Sequence, residues 1–64
     1  MTSRDELETL ATRMTENGAY VFFRFDMEDR IAGVTIDNAK GIGPHEMAPL
    51  SAAERMREWL SAHR

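Results

Sequence analysis

A chain of 64 residues holds one domain at most, and at that size only about 60% of the unfolded surface is buried on folding, so stability is marginal. Its 42% hydrophobic and 30% charged residues are a folding composition, and the lack of cysteine excludes disulfides and thiolate zinc sites. A net charge of −3 argues against general nucleic-acid binding, which needs cations to displace phosphate counterions.

The charge is unevenly spread. Residues 1–37 carry eight acids against four arginines, whereas residues 38–64 carry three acids against Lys40, Arg55, Arg57 and Arg64. No apolar run approaches the roughly 20 residues that span a bilayer. Met1 to Glu6 is charged and lacks the apolar stretch of a signal peptide, so no membrane contact and a cytoplasmic location are expected. A scaffold this small and free of disulfides is expected to rely on good packing, self-association or a partner.

A first helix is expected over about 4–17. Leu7, Leu10, Ala11 and Met14 recur at helical spacing, Ser3 and Glu6 have capping-box spacing, and Asn17-Gly18 is a stop signal. An aromatic strand follows over about 19–26, bounded by turn residues. Its alternation sends Val21, Phe23 and Phe25 one way and Tyr20, Phe22 and Arg24 the other. The second strand is expected over about 30–37, with Ala32, Val34 and Ile36 on the face shared with Val21, Phe23 and Phe25, and Ile31 on the face of Tyr20 and Phe22. Met27-Glu28-Asp29 connects the two as a hairpin of undefined turn type, since it lacks glycine and asparagine.

Residues 38–50 are expected as a loop, long for so small a domain and therefore a candidate functional segment. Pro49 is expected to interrupt any helix begun before it. The last helix is expected over about 52–63, capped by Ser51 and Glu54, with Ala52, Met56, Trp59, Leu60 and His63 as its stripe and Arg64 complementing the dipole. The fold class is α+β: a single small α-β-β-α domain, 1–64, with an antiparallel hairpin packed against two helices and the sheet extended by dimerisation.

Two surfaces are candidates for function. A two-stranded hairpin is marginal alone, and helices on one face leave Tyr20, Phe22, Arg24 and Ile31 uncovered on the other. That face is expected to bind a second copy or a larger protein. The acids Asp5, Glu6, Glu8, Asp26, Glu28 and Asp29 form a second feature, read either as a solvated face or as a charge mimic filling a basic nucleic-acid channel.

The loop offers Lys40, Gly41, Gly43, His45 and Glu46. Gly41-Ile42-Gly43-Pro44 resembles the hairpin of helix-hairpin-helix DNA-binding modules, and the resemblance implies backbone amides presented to a phosphate, with Lys40 beside them. It covers four residues, and a strand rather than a helix precedes it. The alternative is a turn with Ile42 and Met47 tucked into the core. His45 and Glu46 have neither zinc-site spacing nor a nucleophile beside them; an enzyme would need a dimer to complete a site around His45, Glu46 and Tyr20. Trp59 is expected in the core, as are Met14 and Met56, while Met27 and Met47 lie in connections as an adaptable surface. The expected function is that of a small acidic non-enzymatic protein that binds and regulates or inhibits a larger protein or nucleoprotein complex as a homodimer, with no cofactor, no metal and no direct nucleic-acid contact. The alternative is a ligand- or nucleic-acid-binding module using Lys40 to Gly43.

Overall fold

The computed structural model describes residues 3–62; His63 and Arg64, assigned above to the last helix, lie outside them. The element order is α1 (Arg4–Glu16), β1 (Tyr20–Phe25), β2 (Ile31–Asp37), β3 (Glu46–Met47) and α2 (Pro49–Ala62). The strands form one antiparallel sheet in the order β1-β2-β3. The domain is α+β, with α1 on β1, α2 on β2 and the helices packed on each other.

Ser3 caps α1 by accepting the Glu6 amide at 3.2 Å. The reciprocal half of the capping box does not form, because the Glu6 carboxylate accepts from Arg57 of α2 instead. At the other end, Gly18 takes φ +90°, its amide donating to Thr15 O, while Ala19 N donates to Met14 O. These are the two bonds of a Schellman ending, and Ala19 and Met14, the positions joined by the second, are both buried in the core cluster.

The hairpin closes without glycine. Asp29 N donates to Asp26 O and Asp26 N to Arg30 O, and Asp29 takes the left-handed position at φ 63°. This is a three-residue loop built on a tight turn followed by a left-handed residue. Asp26 Oδ1 accepts the amides of Glu28 and Arg30 at 2.8 and 3.0 Å.

Strand alternation fails at one point. Arg24 pairs with Gly33 but Phe25 pairs with Ile31, leaving Ala32 as a bulge. The extra residue reverses the phase of β2, so Ile31 packs on the core and not on the outer face expected for it. Phe25 stays 42% exposed, touching Phe23 edge-to-face at 6.4 Å between centroids and lying under the Arg4 guanidinium at 5.1 Å.

The expected loop over 38–50 is mostly structured. Ala39 and Ile42 bridge and are buried, β3 pairs with β2 through Glu46 and Met47, and α2 starts at Pro49. Pro49 therefore opens the helix, where its missing amide costs nothing. Ser51 falls inside the first turn and is not the cap. Met47 packs on the core rather than serving a free surface. The core gathers Leu7, Leu10, Met14, Ala19, Val34, Ile36, Ala39, Ile42, Ala52, Ala53 and Met56; Trp59 and Leu60 pack at its edge.

Candidate interaction surfaces

The outer sheet face carries Tyr20, Phe22 and Arg24 of β1 opposite Asp37, Thr35 and Gly33 of β2, with Glu46 of β3 opposite Thr35. Tyr20 is 56% and Phe22 57% exposed. Beside them Arg24 and Glu46 span β2 with two parallel hydrogen bonds of 2.7 and 3.0 Å. Their path crosses Gly33, where a Cβ would come within 2.7 Å of Glu46 Cγ. The hydrogen bond from Arg24, followed by its charge, holds the Glu46 carboxyl below its usual range against the opposing effect of desolvation, and the same pair raises Arg24. Glu46 is thus a structural ion-pair partner with its proton affinity lowered, the opposite of what a general base at neutral pH needs.

Of the residues assigned to the interaction face, Tyr20, Phe22 and Arg24 lie together, whereas Ile31 turns inward and Asp26, Glu28 and Asp29 sit at the hairpin tip. Asp26 organises the turn, and the backbone amide of Arg30 lowers its pKa. Glu28 pairs with Arg30 at 2.6 Å. Across the acidic group, Glu6 meets Arg57, Glu8 meets Arg4, and Asp26 and Glu28 share Arg30. Local arginines therefore neutralise much of the charge a nucleic-acid mimic would need to present.

In the 39–42 turn, Gly41 takes φ +92° and the Ile42 amide donates to Ala39 O. The carbonyls of Lys40 and Gly41 accept from Trp59 Nε1 and Arg55, both at 3.0 Å. The segment thus presents carbonyls to α2 and spends the central amide internally, the reverse of a phosphate cradle. His45 is exposed after a tight turn at Pro44, its amide donating to Gly43 O. Among the described residues no group of three or more His, Asp or Glu side chains is placed to hold a metal ion, and no helix is long and apolar enough to cross a membrane.

No family model matches the chain, and no significant match exists among curated proteins or solved structures.

Sequence reasoning found the exposed aromatics but missed the Arg24–Glu46 bridge. The signal available was Gly33 in the middle of a strand, which marks a close approach from a neighbour.

Proposed function

We propose that this chain is a non-enzymatic protein-interaction domain that acts as a homodimer and regulates or inhibits a larger protein. The observation that carries this reading is the pair Tyr20 and Phe22, each more than half exposed on one face of a paired sheet. Large aromatics anchor interfaces because they bury much area with little loss of side-chain freedom. The Arg24–Glu46 bridge satisfies its own charges, so a contacting sheet meets neither of these two as an unpaired ion. Two such faces pack back to back in a sandwich about 10 Å thick, which supplies the burial that a 64-residue core lacks. The cysteine-free composition supports action in the cytoplasm.

Light scattering across a concentration series tests the dimer. The expected result is a two-fold mass that falls to one-fold in the Tyr20→Ser, Phe22→Ser double variant, with its circular dichroism retained. A monomer at every concentration, or a double variant that still dimerises, overturns this use of the face.

A further inference from the structure

A different surface lies along the free side of β1. This strand is a sheet edge, and Tyr20–Phe25 contains no proline or lysine, two of the devices that blunt an edge; its one charged residue, Arg24, is paired with Glu46 on the outer face. The Asp26 N to Arg30 O bond turns residue 26 toward β2. Antiparallel alternation then directs the backbone groups of Arg24, Phe22 and Tyr20 inward and those of Val21, Phe23 and Phe25 to the open side.

Above that edge runs one flank of α1. Glu6, on the opposite flank, is the residue that meets α2. The flank away from α2 and the β1 edge enclose a shallow groove of about 370 Å³ lined by Glu8, Ala11, Thr12, Thr15, Glu16 and Phe23. The Thr12 and Thr15 hydroxyls donate to Glu8 O and Ala11 O of their own helix, so their methyl groups, Ala11 and the Phe23 ring make the middle of the groove apolar. Acids stand at its two ends. Glu8 shares Arg4 at 3.2 Å, both half exposed; Glu16 has no ion pair among the described residues.

We infer that this groove takes an extended peptide segment of the pattern basic-x-apolar-x-basic, added as a strand to the open edge of β1. The spacing decides the pattern. Glu8 and Glu16 are eight helical residues apart, about 12 Å at 1.5 Å per residue. Residues i and i+4 of a strand are about 13 Å apart on one face, with i+2 midway. Cations at i and i+4 therefore meet the two glutamates while the side chain at i+2 fills the apolar middle, and the ladder to β1 supplies the main-chain hydrogen bonds. A second copy does not fit: edge-to-edge pairing would bring its own Glu8 and Glu16 beside the first pair, and its β1 strand offers Val21, Phe23 and Phe25 there, without a cation. The inference deepens the interaction reading by naming a partner chemistry, but uses none of the Tyr20 and Phe22 face.

The test titrates the full chain with a short capped peptide centred on Lys-Thr-Val-Thr-Lys, followed by amide chemical shifts. The expected result is saturable binding with the largest shifts at Val21, Phe23, Phe25 and the α1 flank, and an affinity that falls as salt rises. Glu16→Lys is expected to weaken binding roughly tenfold, Thr12→Arg to abolish it, and a Glu-Thr-Val-Thr-Glu peptide not to bind. The Tyr20→Ser, Phe22→Ser variant should bind the lysine peptide unchanged, so failure of the dimer face and failure of the groove are separate results. No binding at low salt, equal binding of the acidic peptide, shifts confined to the outer face, or unchanged affinity in folded Glu16→Lys and Thr12→Arg proteins would each overturn it.

Discussion

Arg24 and Glu46, 22 residues apart in sequence, meet across the middle strand because residue 33 between them has no side chain. One glycine thus links the two outer strands of the sheet electrostatically. The contact is exposed, so its effect on global stability is small; its effect on the charge pattern of the outer face is direct.

Gly33→Ala should therefore expel the Glu46 carboxylate while leaving the fold intact, since residue 33 has no left-handed backbone angle to protect. The Glu46 pKa, read by carboxyl carbon titration, should rise toward its ordinary 4.5. An unchanged titration would show that the bridge forms without the gap.

Acid should cost the protein a little stability through Glu46 and Asp26, both of them screened by solvent. Hydrogen bonds lower both carboxyls in the folded state, from Arg24 and from the Arg30 amide respectively. A folded pKa below the unfolded one gives stability fully present above the ordinary carboxylate range and lost as pH falls through the depressed values. Arg24 is raised, so its contribution is lost only at extreme alkaline pH. Melting temperature against pH should fall less steeply below about pH 4 in the Asp26→Asn, Glu46→Gln variant. Identical slopes would refute the assignment.

Asp29 holds a left-handed angle that glycine adopts freely. Asp29→Gly keeps the backbone carbonyl that accepts from Arg4 and removes the steric cost, so it should stabilise by about 1 kcal/mol, raising the melting temperature by roughly 4–8 °C in a domain this size. A lower melting temperature in differential scanning calorimetry would contradict this account of the turn.

Met56 is fully buried between the layers. Met56→Ala should cost about 2–5 kcal/mol, against a total of about 3–10 kcal/mol expected at this length. Thermal circular dichroism should show a large loss of cooperativity or a largely unfolded chain; a small shift would mean that the helices close over the gap.

The two helices and the hairpin were legible because their signals are local: apolar residues at helical spacing in Leu7 to Met14, the Asn17-Gly18 stop, and the aromatic run of Tyr20 to Phe25. What was not legible depended on partners distant in sequence. Glu46-Met47 is a strand only because β2 offers it an edge. Pro49 has two meanings, helix breaker or helix opener, and docking against the core decides between them. Ile31 changed face because a single bulge at Ala32 shifts every side chain before it. Ala19, Ala39 and Ala53 are buried, yet small residues give a weak periodic signal. The outer aromatic face was readable from alternation, whereas the groove on α1 required knowing which flank α2 covers.

The Asn38 side chain donates to Gly18 O at 2.8 Å, fastening the end of β2 to the turn between α1 and β1. That clasp, α1, β1 and β2 all come from residues 3–38, whereas the apolar surface above them is closed by Ala52, Ala53 and Met56 of α2. Any state in which α2 detaches therefore bares an adhesive face that the folded domain hides.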